Sequence, residues 1–281
     1  MSTEEQTQPA VDRIEQAERF RALHEGPEPL LMPNAWDGGS ARLLVSLGFK
    51  AVATTSGGFA ASIGRLDGTA VDDEALTNAT AIVKAAGEVP VSADLENGFG
   101  DEPSQVRMTI LNALSVGLSG CSVEDWSGGP DGRIYDLELA AERVAAAAKM
   151  AHRGPVEMVL TARAENHLHG RDDLTDTIAR LQAYQEAGAD VLYAPGLTKL
   201  SDIQSVVSSV DRPVNVLALP GGPTVAELAE AGVRRISVGG AFAYAAYGAL
   251  IEAARELLDE GTYGFWDLAK LGRDAVRQYF G

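Results

Sequence analysis

The feature that most constrains the fold is a unit that repeats eight times: a short apolar segment, a polar or glycine-rich end, then an alanine- and leucine-rich segment with helical spacing. Several helical segments end at a glycine, such as Gly87, Gly188 and Gly232, which can adopt the left-handed conformation that terminates a helix. Strictly alternating strands and helices predict a parallel sheet. Eight units favour an α/β fold of the (β/α)8 TIM-barrel type over an open sheet, because no G-x-G-x-x-G follows the first strand.

The predicted elements cover most of the chain. Strands are predicted over residues 30–33, 51–55, 89–93, 120–123, 156–160, 190–193, 213–217 and 235–238. Residues 1–12 are polar and acidic and are expected to form a disordered tail, whereas residues 13–281 are expected to form a single barrel domain. Extra C-terminal helices are predicted over 241–260 and 264–281. Their apolar side chains either dock on a neighbouring subunit or pack on their own barrel.

The charge of the chain excludes several partners. The formal net charge is −17 and the pI is about 4.6, so nucleic acid and anionic membranes are not expected to bind. The single cysteine, Cys121, cannot form an internal disulfide or a thiolate metal cluster. The N-terminal residues lack the positive charge of a secretory signal and no apolar run is long enough to span a membrane, so a cytoplasmic protein is expected.

Two acids end the third predicted strand, at Asp94 and Glu96. In an extended chain the side chains at i and i+2 point to the same side. Two carboxylates that face one another attract a divalent cation with oxygen ligands. The alternative is a helix cap followed by a solvated acid at the start of a loop.

The neighbouring strands add Glu124 and Arg163 to the same rim. Carboxylate ligands without a histidine pair favour Mg²⁺, with Mn²⁺ as a second choice, and an arginine fork can hold a carboxylate. A small 2-oxo acid fits both groups, and the enolate formed when a bond to its C3 breaks would be stabilised there. Arg163 could instead be a structural counter-ion for Glu124 or Glu96.

A third interpretation rests on two glycine pairs after the last two strands, Gly221-Gly222 and Gly239-Gly240. Many barrels bind phosphate at this position. These glycines therefore leave open a phosphate-binding barrel enzyme of a different class.

Several motifs in order resemble the isocitrate lyase / phosphoenolpyruvate mutase superfamily, and within it the phosphonomutase-like proteins. The motifs are Pro33-Asn34-Ala35-Trp36-Asp37, Thr54-Thr55-Ser56-Gly57 with downstream Gly64 and Asp67, Asp94-Leu95-Glu96-Asn97-Gly98-Phe99-Gly100, Val123-Glu124-Asp125 and Ala162-Arg163. The resemblance implies a barrel that is a tetramer with its last helices exchanged between subunits, that is, a dimer of helix-swapped dimers.

The resemblance also implies roles for individual residues. Mg²⁺ would be held directly or through water by Asp94, Glu96 and Glu124. Substrate oxygens would be bound by Ser56, Gly57 and Gly58, with Asn97 and Arg163 as further substrate-binding residues. The catalytic set would be Arg163, Glu124 and Asp67, where Asp67 matches an acid that contacts metal-bound water or substrate.

Three departures from the family pattern matter. The lyases carry a Lys-Lys/Arg-Cys-Gly-His loop soon after strand four, whereas residues 125–133 contain no cysteine or histidine; this argues against 2-methylisocitrate lyase activity. The lysine- and asparagine-containing loop of the mutases is also missing, which argues against P–C bond formation. The second acid of the strand-three motif is Glu96, where the family usually has aspartate.

The sequence therefore predicts a Mg²⁺-dependent lyase or hydrolase that cleaves a C–C or P–C bond of a small 2-oxo acid resembling oxaloacetate, phosphonopyruvate or an acylpyruvate. The alternatives are a non-catalytic 2-oxo acid binding protein that has lost the catalytic loop, and phosphoenolpyruvate mutase activity.

Overall fold

The computed structural model describes residues 4–129 and 131–280, with side chains from Asp12 onward. A nine-stranded sheet, parallel throughout, runs in the order β1-β9-β8-β7-β6-β5-β4-β3-β2. The strands are β1 Leu30–Met32, β2 Asn34–Ala35, β3 Val52–Thr54, β4 Val91–Asp94, β5 Gly120–Glu124, β6 Val159–Arg163, β7 Val191–Tyr193, β8 Val214–Leu217 and β9 Arg235–Ser237. This arrangement confirms the predicted (β/α)8 barrel.

The first predicted strand forms two short strands because Pro33 separates them. Proline has no N–H to contribute to a sheet, and the chain changes partner at this residue. β1 pairs with β9, whereas β2 pairs with β3. The two strands together therefore close the barrel between its last and second units.

Helices follow the strands as predicted, with one addition. The helices are α1 Glu4–Ala22, α2 Gly38–Ser46, α3 Ser56–Ser62, α4 Asp72–Ala86, α5 Pro103–Ser115, α6 Leu137–Ala151, α7 Leu174–Glu186, α8 Leu200–Ser209, α9 Val225–Glu230, α10 Ala241–Arg255 and α11 Trp266–Phe280. The sequence did not predict α3, whose first residues were interpreted as a glycine-rich strand end. Thr55 caps it, accepting a hydrogen bond from Gly58 N at 3.2 Å.

Two boundaries differ from the prediction. The fifth predicted strand, 156–160, lies three residues later, because Val159 to Arg163 pair with Gly120 to Glu124; Arg163 therefore ends the strand itself. Helix α1 begins at Glu4, within the tail predicted to be disordered. Its last turns hold Ala17 and Phe20 in the core, and packing there favours continuing the helix toward its N-terminus. Residues 1–3 lie outside the described part of the chain.

The C-terminal helices leave much apolar surface exposed. Arg42 on α2 donates to Tyr279 O at 3.0 Å, which holds the end of α11 on the barrel. Large side chains on the rest of this surface are exposed: Leu250, Ile251, Leu257, Leu258, Tyr263, Trp266, Leu268 and Leu271. Exchange of these helices between subunits stays a prediction. No helix in the described part of the chain is long and apolar enough to cross a membrane.

Candidate active site

A cavity of about 200 Å³ opens among the carboxyl ends of the strands and reaches inward between them. Its walls contain five of the predicted site residues, Ser56, Gly57, Asp67, Asp94 and Arg163. Glu96 and Glu124, which the sequence also placed on this rim, do not line the cavity. The predicted rim therefore borders a cavity that only part of the predicted acids reach.

Arg163 is the centre of an ion-pair cluster at this rim. Its Nη1 lies 2.9 Å from Asp94 Oδ1, its Nη2 3.1 Å from Glu124 Oε2 and its Nε 2.8 Å from Glu165 Oε1. Burial alone would lower the pKa of Arg163, but Glu165, Glu124 and Asp94 more than offset it and the pKa is raised. Arg163 thus is a counter-ion for Glu124, as one interpretation expected, and at the same time lines the cavity.

Burial acts on two carboxyl groups of this cluster. It raises the pKa of the Glu124 carboxyl well above its ordinary value, although Arg163 opposes the shift. Burial likewise raises the pKa of Glu165 against the opposing charge of Arg163. The cluster therefore combines a fixed cation with carboxyl groups that accept a proton more readily than they would in water.

Asp94 links this cluster to the first turn of α3. Its Oδ2 accepts hydrogen bonds from Ser56 N at 3.2 Å and Ser56 Oγ at 2.9 Å. Its own backbone N–H donates to Thr54 Oγ1 at 2.9 Å. These bonds fix the carboxylate between Ser56 and Arg163 on the cavity wall.

Glu96 lies close to Asp94, but not for the reason predicted. The chain is not extended here, because Glu96 has φ +47° and lies two residues beyond the end of β4 at Asp94, so the i, i+2 argument does not apply. Burial and the charges of Asp94 and Asp67 raise the pKa of Glu96 to about 8 against the opposing effect of Arg163. The backbone turn, rather than strand geometry, brings these acids together.

Gly57 and Gly58 play different parts. A Cβ on Gly57 would lie 2.9 Å from Tyr244 Oη and 3.0 Å from Asp67 Oδ2, so a larger residue would displace the ends of these two side chains. Gly58 is buried against Trp36 and Ala243 and is not part of the cavity wall. Its N–H is used by the cap of α3, so a substrate contact at Gly58 gains no support from this geometry.

Asn97 lies beside the cavity rather than on its wall. Its Nδ2 donates to Ser127 O at 3.1 Å and to Tyr135 Oη at 3.3 Å. The Arg143 guanidinium donates to Asn97 O and to Gly100 O, at 2.6 Å for the latter. Asn97 therefore supports two loops, and direct substrate binding by it stays a prediction.

The loop after Glu124 folds into a fastened hairpin. Trp126 pairs with Ile134 in an antiparallel bridge, and Ser127 N donates to Arg133 O at 2.9 Å. The Trp126 ring stacks on His169 with centroids 3.6 Å apart. Pro130, within this loop, lies outside the described residues. The hairpin thus replaces the Cys/His loop expected for the lyases.

Asp125 has a structural role below this loop. It accepts hydrogen bonds from Glu165 N at 2.8 Å, Arg180 Nη1 at 3.0 Å and Tyr184 Oη at 2.5 Å. These buried bonds fix the backbone just after Arg163, and so fix the orientation of the cluster.

A second arginine, Arg235, lies deeper in the same cavity. It donates to Asn215 Oδ1 at 3.0 Å and Thr161 Oγ1 at 2.9 Å. Sequence reasoning missed Arg235 and gave no role to Glu165. Side chains alternate along a strand, so Thr161 and Arg163 lie on one face of β6. This alternation was the available signal that polar residues continue inward from Arg163.

The glycine pairs do not form one phosphate cradle. Gly239 lines the cavity, but its N–H and that of Val238 already donate to Asn34 Oδ1, at 2.9 and 3.0 Å. Gly221 and Gly222 lie in an exposed or half-exposed turn outside the cavity wall. The geometry therefore favours the carboxylate–arginine rim over the phosphate interpretation.

A metal at this rim would depend on carboxylate ligands. In residues 4–129 and 131–280, no group of three or more His, Cys, Asp or Glu side chains is arranged to hold a metal. Mg²⁺, however, retains several waters and needs only one or two protein carboxylates. Asp94 and Glu96, whose mutual repulsion raises the pKa of Glu96, meet that requirement in chemistry and charge.

Several known proteins resemble this chain in sequence and in structure. The phosphoenolpyruvate phosphomutase family model matches residues 20–258. An uncharacterized protein of Mycobacterium tuberculosis is 34% identical over 245 residues, 85% of this chain and 89% of its own. The crystal structure of a lyase/mutase candidate from Burkholderia cenocepacia is 49% identical, with a TM-score of 0.92 over 96% of this chain and 98% of its own.

A further solved structure is oxaloacetate acetylhydrolase in complex with the product oxalate. It is 28% identical, with a TM-score of 0.81 and 89% of each chain covered. Relatives across the superfamily are named as lyases and mutases. With the matched region spanning the barrel and its rim, this chain belongs to the phosphoenolpyruvate phosphomutase family within the isocitrate lyase / phosphoenolpyruvate mutase superfamily.

Proposed function

We propose that this protein is a divalent-metal-dependent lyase or hydrolase that cleaves a bond at C3 of a small 2-oxo acid, with an enolate as the developing product. The observation that carries the proposal is the Arg163 fork, which lies among three carboxylates on the wall of a small cavity. Relatives named oxaloacetate acetylhydrolase and oxaloacetate decarboxylase act on a substrate of this class.

Asp94 and Glu96 would hold the cation, with Glu124 contributing directly or through water. When bound, Mg²⁺ or Mn²⁺ supplies Lewis-acid stabilisation of negative charge on the substrate oxygens. Arg163 uses one N–H on each of its three nitrogens for the carboxylates. Since a guanidinium has five N–H donors, one more on each terminal nitrogen can bind the substrate carboxylate or the developing enolate oxygen.

Acidic side chains of the protein can supply the proton that the enolate carbon accepts. Where Glu124 reaches the cation only through water, its carboxyl, whose pKa is raised by burial, can give a proton to the enolate carbon when the bond has broken. Asp67, on the cavity wall beside Gly57, is placed to contact substrate or water. The small cavity limits the substrate to a few carbon atoms.

The test is a panel of oxaloacetate, phosphonopyruvate and 2-methylisocitrate, each assayed with Mg²⁺, with Mn²⁺ and with EDTA. We expect turnover of at least one compound that EDTA abolishes and that Arg163→Lys, which keeps the charge but loses the fork, reduces roughly 100-fold or more. Arg171→Lys, an exposed arginine, is the matched control. Turnover that survives EDTA, or that does not depend on Arg163, contradicts the proposal.

A second candidate is a non-catalytic binder of 2-oxo acids. The observation that favours it is the fastened hairpin after Glu124, which carries no cysteine or histidine and is held by Trp126 and Ser127. Oxalate binding by wild type without turnover of any compound in the panel would support this candidate.

We also propose a homo-oligomer assembled through α10 and α11. The exposed apolar side chains of these helices support it, with Leu271 68% and Leu258 83% exposed. Leu271→Asp should reduce the mass measured by size-exclusion chromatography with light scattering, whereas Leu111→Asp on the exposed face of α5 should not. An unchanged mass for Leu271→Asp, or a monomeric wild type, contradicts this assembly.

A further inference from the structure

The inner end of the cavity holds a buried cation that no acid neutralises. Arg235 is 2% exposed, yet it lines the cavity. None of the ion pairs formed within residues 4–129 and 131–280 includes it. A buried charge is costly unless it is paired, so an anion in the cavity would stabilise this arrangement.

The partners of Arg235 are all neutral. Besides Asn215 and Thr161, its Nη1 lies 3.4 Å from His24 Nε2. His24 is neutral, because burial and the charge of Arg235 lower its pKa to about 3. Burial and the nearby charge of Arg163 also lower the pKa of Arg235 to about 10, although Tyr193 opposes them. The inner end of the cavity, which we call its floor, therefore retains a full positive charge. The charge of Arg163, in contrast, is shared among three acids.

The spacing of the two arginines follows from strand β6. Arg235 Nη2 donates to Thr161 Oγ1, and Thr161 precedes Arg163 by two residues on that strand. Successive inward-facing residues on a strand lie about 7 Å apart. The head of Arg235 thus lies about one side-chain layer below Arg163.

We propose that Arg235 binds one carboxylate of the substrate, so that the protein acts on a short dicarboxylic 2-oxo acid whose second carboxylate points to the floor of the barrel. This inference rests on the proposed function for the 2-oxo acid end of the molecule. A four-carbon diacid, built from C–C bonds of about 1.5 Å, presents outer carboxylate oxygens about 6 Å apart, which matches the layer spacing. The hydroxyls of Ser92 and Ser122 line the wall between the two ends.

Two probes separate the ends of the site in a calorimetric titration with Mg²⁺ present. Oxalate fills only the 2-oxo acid end, whereas 3,3-difluorooxaloacetate, an inhibitor of oxaloacetate acetylhydrolase, also carries a distal carboxylate. We expect Arg235→Gln to weaken difluorooxaloacetate binding roughly 10- to 100-fold and to change oxalate binding less than about threefold. Arg234→Gln is the control, since this neighbouring arginine donates to Pro27 O on the surface.

Other outcomes overturn the inference in distinguishable ways. Oxalate binding by wild type, with difluorooxaloacetate affinity unchanged in Arg235→Gln, overturns the role of Arg235 alone. An equal loss of both probes in a folded variant assigns Arg235 to the architecture of the barrel. Failure of wild type to bind either probe overturns the proposed function and this inference together.

A crystal structure of wild type soaked with difluorooxaloacetate removes any dependence on a variant that fails to fold. A distal carboxylate oxygen within about 3.2 Å of an Arg235 nitrogen supports the inference. A complex with both carboxylates at the rim, on Arg163 and Ser56, overturns it.

Discussion

The rim and the floor of the cavity each contain one buried arginine, and the two are surrounded in opposite ways. Arg163 at the rim contacts three carboxylates between 2.8 and 3.1 Å. Arg235 at the floor contacts an amide, a hydroxyl and a neutral imidazole. Since both residues line one cavity, the difference lies in the charge available to a ligand rather than in location.

This contrast indicates that the two ends of the cavity attract ligand groups of opposite charge, although the protein as a whole is strongly acidic. The rim has more acid than one arginine neutralises, so it attracts a cation and can hold protons. The floor has positive charge without acid, so it attracts an anion. The two ends together suit a ligand that is an anion and also coordinates a metal, which is what a 2-oxo acid is.

The largest expected effect comes from removing the cation of the rim. Arg163→Met leaves Asp94, Glu124 and Glu165 without a counter-charge, and should lower the free energy of unfolding by about 3–5 kcal/mol at pH 7. Urea unfolding measures the loss. Arg171→Met, whose exposed guanidinium lies 3.4 Å from Asp176, should change stability by less than about 1 kcal/mol. Equal losses in both variants would show that the cluster is not a coupled unit.

A smaller effect is expected at the rim glycine. Gly57→Ala places a Cβ against Tyr244 Oη and Asp67 Oδ2. Because both atoms end exposed side chains that can shift, the substitution should cost only about 1 kcal/mol of stability, but it should weaken oxalate binding. Tyr244→Phe in the same chain removes the nearest atom and should restore part of both. The control Gly248→Ala meets no atom within 4 Å and should be neutral or slightly stabilising, because alanine is the better helix former. Unimpaired oxalate binding in Gly57→Ala would contradict the close fit.

The smallest effect concerns the pH dependence of the floor. The folded protein keeps His24 neutral, since its pKa falls from 6.5 to about 3 mainly through burial. Below pH 6.5 the unfolded chain binds a proton that the folded one does not, so stability should fall by about 1 kcal/mol between pH 7 and pH 5.5. The nearby Asp190 is already engaged by Arg21 and His152.

Comparison of wild type with His24→Gln isolates this contribution. Glutamine can still donate to Phe20 O but does not titrate, so its stability should vary less over that interval. Urea unfolding at pH 7 and pH 5.5 measures the difference. Parallel changes in the two proteins would show that His24 is not the group responsible.

Much of the barrel was predictable because strand and helix periodicity are local. The repeat predicts helices over residues 72–86 and 137–151, and α4 and α6 have these bounds. The order of strands set Asp94, Glu124 and Arg163 on neighbouring strands. The turn at Glu96 was not predictable, because its left-handed backbone arises from the packing of the loop and not from an i, i+2 pattern.

The floor was beyond sequence reasoning for a different reason. Arg235 lies at the start of a short strand, where a charged residue is usually solvated. Its burial depends on Asn215, Thr161 and His24, which come from three distant parts of the chain. Only the closed barrel brings these partners together.

Pro33 has a further consequence for how the barrel opens. β2 contributes only two residue pairs to β3, as few as β3 shares with β4 and β7 with β8, and Pro33 beside it contributes no N–H. Local opening follows the least-protected backbone, so the amides of Asn34 and Ala35 should exchange with solvent deuterons before those of β5 and β6, which share five pairs. Asn34 lies in β2, and its side chain holds Gly239 on the cavity wall. Fluctuations of the barrel closure would therefore reach the ligand site through a side chain that takes no part in the chemistry.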